Sequence, residues 1–253
     1  MSILFHIISA ISLLFASCKE NIPTETVYPF QLGDKTINVI VTEFDGTGNL
    51  VMINLHDNEQ TSVTAGKKVL EDKGGMLIRI DNNKSRNILF DYKGLKFEFD
   101  PNRMFTKKGA EESLNLFGVA TPEAVEIVSR FADSLLSKIP SSAETLIALH
   151  NNDSSAGLSI HSYAPGGDYE KEATQVYINY EKDPDNFFLS TTQPHFIKVV
   201  TDGFNAILQN NKDVTDDGSL SVYMGLRNKA YINVEAEHGH EEEQIIMLQH
   251  LAK

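Results

Sequence analysis

The sequence predicts an α/β fold: a mixed, mostly parallel twisted sheet with helices on both faces. Apolar runs of strand length alternate along the chain with longer segments of helical period, an order that builds sheets covered by crossover helices. The run ending at His150 is apolar at almost every position, as strands buried on both faces are, and it follows the clearest helical pattern in the chain. No composition break, internal repeat or low-complexity tract divides residues 28–253, which are expected to form one domain.

Strands are expected at 36–44, 50–56, 76–81, 87–91, 95–100, 145–150, 175–180, 219–223 and 230–235. The helix expected at 122–138 has Thr121 as its cap and Pro122 in its first turn. Its apolar stripe is Ala124, Val125, Val128, Phe131, Ala132 and Leu135 at 3.6 spacing. Further helices are expected at 60–72, 195–209 and 241–251. The last carries Glu241, Glu242 and Glu243 in its first turn, where the helix dipole favours negative charge. Gly74-Gly75 and Gly166-Gly167 read as turns.

Composition excludes several functions. The chain carries 35 acidic and 22 basic side chains, a net charge of −13, and no long Lys/Arg run, so it is poorly suited to grip a nucleic-acid backbone. Its single cysteine excludes an internal disulfide and any Cys-based zinc cluster. No Gly-x-Ser-x-Gly elbow and no Gly-rich phosphate loop is present, so a serine or cysteine hydrolase has no motif behind it.

Residues 3–16 hold no Asp, Glu, Lys or Arg but fall short of the roughly 20 apolar residues a stable span needs. They have the length of a signal-peptide core, with small residues at Ala16 and Ser17 before Cys18. Phe15-Ala16-Ser17-Cys18 resembles the lipobox of bacterial lipoproteins. That resemblance implies a signal peptide at 1–17, lipidation of Cys18, a tether at 18–27, and an exported protein anchored by its lipid to a membrane of the cell envelope. A plain secretory signal or an uncleaved anchor is the alternative.

Four segments carry candidate chemistry. His56-x-x-Glu59 follows the strand at 50–56, and a turn there lets both side chains converge on one cation. Asp100-Pro101-Asn102-Arg103-Met104-Phe105 ends an alternating strand and presents an arginine fork beside an amide, good chemistry for a carboxylate or carbonyl. A third segment ends at His150, with Asn151 and Asn152 after it. In the fourth, Glu235 and Glu237 share one face of an otherwise apolar strand.

Taken in this order, the segments resemble the carboxypeptidase A-like zinc peptidases and their succinylglutamate desuccinylase/aspartoacylase relatives, over roughly residues 45–240. The resemblance implies a zinc metallopeptidase or amidohydrolase, with His56 and Glu59 as metal ligands and Asn102 and Arg103 binding substrate. A water activated by zinc would give its proton to Glu235, and Arg103 would stabilise the developing oxyanion. Two histidines compete for the third ligand. His150 ends the strand after the 122–138 helix, the position topology favours, whereas Ser159-Ile160-His161-Ser162-Tyr163 matches the family's local pattern. Glu237 is the alternative base, and Tyr223 a weaker substrate-facing candidate.

The second substrate arginine of many family members has no counterpart in a recognisable motif, since neither Arg79 nor Arg86 lies in one. His238-Gly239-His240 reads as a turn and helix start near the site rim rather than a second metal site. The expected substrate is a small peptide or N-acyl amino acid. The alternative is a surface lipoprotein that binds a peptide or glycan on the same scaffold without cleaving it.

Overall fold

The computed structural model describes residues 22–153 and 157–253; the signal-peptide and Cys18 readings lie outside them. In chain order the elements begin β1 (Thr24–Leu32), β2 (Lys35–Phe44), β3 (Leu50–Asn54), α1 (Gln60–Lys73), β4 (Gly75–Asp81), β5 (Ile88–Tyr92) and β6 (Leu95–Phe99). They continue with α2 (Lys107–Phe117), α3 (Pro122–Leu136), β7 (Leu146–Asn152), β8 (Ala173–Tyr177), β9 (Phe187–Ser190) and α4 (Gln193–Thr201). The last are β10 (Ala206–Gln209), α5 (Leu220–Leu226), β11 (Tyr231–Glu237) and α6 (Glu241–Leu251). None of the described helices is long and apolar enough to cross a membrane.

The expected fold class holds. Nine strands form one mixed sheet in the order β1-β2-β4-β3-β7-β11-β9-β10-β8, with β5 and β6 as a separate hairpin. The central run β4-β3-β7-β11 is parallel throughout. Antiparallel pairs lie to either side, and six of the nine strands run one way. Every residue of β7, the middle strand, is buried.

Alternation along the strands divides two cores. Leu146 and Ala148 of β7 pack with Val51, Ile53, Phe131 and Tyr231 on the face covered by α2, α3 and α5. Ile147 and Leu149 pack with Val63, Val69, Phe196 and Met247 on the face covered by α1, α4 and α6. His150 and Glu235 continue the first face past its apolar part, at the C-terminal ends of parallel strands, where open α/β sheets place ligands.

The helix at 122–138 forms as α3, with the Ala124 N–H donating to Thr121 Oγ1 at 3.2 Å. Three expectations are corrected. The stretch 219–223 is no strand. Ser219 caps a helix, accepting from the Val222 N–H at 3.4 Å, and α5 follows; the alternation of Leu220 and Val222 resembled strand period only because the segment is short. The expected helix at 195–209 ends as α4 at Thr201. Gly203 (φ 77°) then turns the chain into β10. Thr24 to Val27, inside the expected tether, belong to β1. Strands β1 and β9 and helix α2 were not foreseen.

One close approach holds the Asn102–Arg103 turn. The Phe105 N–H donates to Gly218 O at 3.0 Å, and the Leu220 N–H donates to Asn102 Oδ1 at 3.0 Å. A Cβ on Gly109 would lie 2.2 Å from Gly218 Cα. Gly109→Ala is therefore expected to cost about 1–3 kcal/mol by overpacking. Thermal unfolding should show a fall of several degrees in Tm, and an unchanged Tm would contradict the packing described.

Candidate functional site

The site is assembled from the ends of three neighbouring strands. After β3 the chain turns, the Glu59 N–H donating to His56 O at 3.0 Å, which folds the two side chains together. His56 Nδ1 then lies 2.8 Å from Glu59 Oε1, the side chains being only 1% and 2% exposed. Strand β7 pairs with β3 and brings His150, whose Nδ1 lies 3.1 Å from Glu59 Oε2. One donor atom each from His56, Glu59 and His150 falls within 4.8 Å of the others.

Asp100 closes the back of this cluster. Its Oδ1 lies 2.7 Å from His56 Nε2, so the carboxylate takes the ring's outer nitrogen and turns Nδ1 inward. That Nδ1, despite its nearness to Glu59, is buried with no partner on a hydrogen-bonding axis. A buried ring nitrogen that meets a carboxylate off the hydrogen-bonding axis, with a second imidazole beside it, is a donor set suited to zinc. The residues present fit the metal.

Electrostatics agree. Burial alone would depress the His56 imidazole, but Glu59 and Asp100 outweigh it and raise it to about 9. Burial would lift both carboxyls; instead the histidines hold Glu59, and His56 with Arg86 holds Asp100, below the usual carboxylate range. Glu235 behaves oppositely. It stands across from His150 in the β7–β11 register, buried, and its Oε2 accepts from Asn233 Nδ2 at 3.0 Å. Burial, aided by the Glu59 charge and opposed by His150, pushes its carboxyl up to about 7.

These groups open into a cavity of about 540 Å³, also walled by Asn102, Arg103, Tyr163 and Tyr231. Arg103 is part-exposed and its Nη1 lies 3.5 Å from Asp217 Oδ2. The Asn102 carboxamide oxygen is occupied by the Leu220 N–H, so this residue anchors the turn as well as lining the cavity. His161 is exposed and outside the wall, whereas Tyr163 from the same short turn lines it. Tyr223, carried on α5 rather than a strand, packs at a tilt against Phe105 with Arg227 over its ring and is not in the cavity lining.

Glu237 also falls outside the wall and lies 3.6 Å from His240 Nε2, while Asp183 lies 3.8 Å from His240 Nδ1. With a carboxylate near each ring nitrogen, Asp183, Glu237 and His240 form a second, more exposed group at the rim whose ligand atoms lie within 4.8 Å of one another.

Sequence reasoning missed Arg86 and the role of Asp100. Arg86 Nη1 donates to Glu59 Oε1 at 2.7 Å, and its Nη2 lies 3.5 Å from Asp100. It is held there at long range: Asp57 Oδ2 accepts from the Asn82 and Lys84 N–H groups at 2.8 and 2.7 Å, pinning the β4–β5 loop. Nothing adjacent to Arg86 in sequence signals this. Asp100, by contrast, lay inside a recognised motif, and its spacing from His56 was the obstacle.

No family model and no curated protein matches the sequence. Among solved structures, the chain is similar to a protein described as a succinylglutamate desuccinylase/aspartoacylase from Shewanella frigidimarina, at 10% identity and TM-score 0.43, over 91% of this chain and 71% of that one. An aspartoacylase family protein from Mesorhizobium loti aligns at 16% identity and TM-score 0.42, over 94% and 70%. A protein described as a metallopeptidase from Shewanella denitrificans aligns at 13% and 0.38, over 89% and 81%. At such scores the likeness assigns no activity to this chain.

The raised His56 imidazole means that a metal at Nδ1 would have to displace a proton. Zinc affinity is expected to rise with pH and level off above about 9, because below that value binding must displace the His56 proton. Calorimetry near neutral pH in buffers of different ionisation heat should report about one proton released per zinc. A flat pH dependence without proton release would contradict the assignment.

Proposed function

We propose that this chain is a zinc-dependent hydrolase of peptide or amide bonds, acting on small peptides or N-acyl amino acids. The observation that carries the reading is the pairing of two unlike buried groups on adjacent strands. One is the His56–Glu59–His150 cluster, whose ligand atoms lie within 4.8 Å of one another; the other is Glu235, a carboxyl that burial pushes up to about 7. Export and a lipid anchor at Cys18 belong to the same proposal and are supported by the apolar run at 3–16 and the sequence before Cys18.

Bound zinc would supply Lewis acidity, lowering the pKa of a water and polarising the scissile carbonyl. His56, Glu59 and His150 would hold it, with Asp100 fixing the His56 ring so that Nδ1 faces inward. Glu235 has the proton affinity of a general base near neutral pH. It can take a proton from water and return it to the departing amine. Asn233 restrains that carboxylate through Oε2 and leaves the other oxygen for the transfer. Arg103 and Arg86 present guanidinium forks at the cavity wall, suited to a substrate carboxylate or to negative charge developing on oxygen. Arg86 shares Glu59 Oε1 with the cluster and reaches Asp100, so it would hold both carboxylates in place beside a bound cation.

Metal analysis after zinc reconstitution should find about one zinc per chain; less than about half an equivalent would contradict the proposal. With dipeptides, N-acyl amino acids and cell-wall peptides as the substrate panel, Glu235→Gln should retain zinc and lose about 10²–10⁴-fold in kcat. Zinc binding without turnover in the unaltered protein would instead favour a binding role.

A further inference from the structure

Helix α1 begins at an unusual cap. Its N-cap residue is Glu59, and the Glu59 carboxylate makes no hydrogen bond to the helix's own first turn because it faces His56 and His150. An N-cap side chain normally accepts from the second or third helical N–H, and a buried N–H left unpaired is costly. Here the acceptor comes from another strand. The Ser62 N–H donates to Asn151 Oδ1 at 2.8 Å, and Asn151 is the neighbour of His150 on β7.

Alternation places Asn151 on the opposite face of β7 from His150, behind the cluster. Its Nδ2 donates to Ala236 O at 3.2 Å and to Gln244 Oε1 at 2.9 Å. Ala236 adjoins Glu235. Gln244, wholly buried on α6, returns a hydrogen bond from Nε2 to His150 O at 2.9 Å. One carboxamide therefore joins the helix start at Glu59, the strand carrying His150 and the strand carrying Glu235. The Ser62 hydroxyl completes the tie by donating to Glu59 O at 2.7 Å.

We infer that Asn151, supported by Gln244, is a positioning residue for the metal cluster: it caps α1 in place of Glu59, freeing that carboxylate and fixing its distance from His150 and Glu235. The inference rests on the reading that His56, Glu59 and His150 hold zinc. It adds residues outside the His56–Glu59–His150 set: Asn151 borders the cavity, and Gln244 is not in its lining.

The test is zinc affinity of the metal-free full chain, measured by competition with a chelator. Asn151→Ala should weaken zinc by about tenfold or more, the usual size of an effect on groups that orient ligands. Gln244→Met, close in volume and lacking the amide, should weaken it in the same direction by a smaller factor, and it decides the matter if Asn151→Ala does not fold. Val69→Ala is the control for stability alone, because Val69 is buried on the same helix away from this network. It should lower Tm while leaving zinc affinity within about twofold, since a cavity there does not alter ligand spacing. Asn151→Ala and Gln244→Met that fold and bind zinc within about twofold of the unaltered protein would overturn the inference. His150→Ala separates the failures. If it binds zinc as tightly as the unaltered protein, the zinc reading falls and this inference falls with it. If His150→Ala loses zinc and the positioning variants do not, only the positioning role is lost.

Discussion

Three carboxylates crowd a site with little access to water, and burial of negative charge on this scale requires positive charge within contact distance. Glu59 and Glu235 are buried and Asp100 nearly so. Without metal, the compensating charge comes from a proton on His56, held between Glu59 and Asp100, and from the Arg86 guanidinium on Glu59 and Asp100. Glu235 has no such partner, which is why its carboxyl moves up while the other two move down. A divalent cation satisfies the same demand with greater charge in less space. The proton on His56 marks where it would go.

The fold serves that constraint through strand order. Because β3, β7 and β11 are parallel neighbours, His56, His150 and Glu235 emerge together at one end of the sheet without any long-range loop having to place them. The polar back of the site follows the same logic. Asn151 and Gln244 are buried, hydrogen-bonded to each other, and bonded to the backbones of the elements that carry Glu59, His150 and Glu235. Fully satisfied buried networks of this kind rigidify what they join.

Legibility in the sequence followed distance along the chain. His56 and Glu59 were readable because one turn brings them together, and α3 because its cap, proline and apolar stripe are all local. Glu235 stood out as a charge in a strand whose other positions are apolar. What depended on pairing was harder to read. Strand order in the sequence favoured His150 over His161, and the β3–β7 pairing stands it beside Glu59. Arg86 reaches the cluster through a loop fastened by Asp57, and Asp100 through a turn 44 residues from its histidine. Short segments failed for another reason. At 219–223 a helix of seven residues offers too few turns for its period to be told from alternation, and its Tyr223 is not in the cavity lining.

The central claim is that His56, Glu59 and His150 form one metal centre. A crystal of the zinc-soaked protein, measured above and below the zinc absorption edge, tests it most directly. The account predicts one strong anomalous peak enclosed by His56 Nδ1, the Glu59 carboxylate and the His150 ring, with Asp100 still on His56 Nε2. A peak elsewhere on the molecule, or none among these three side chains, would contradict it.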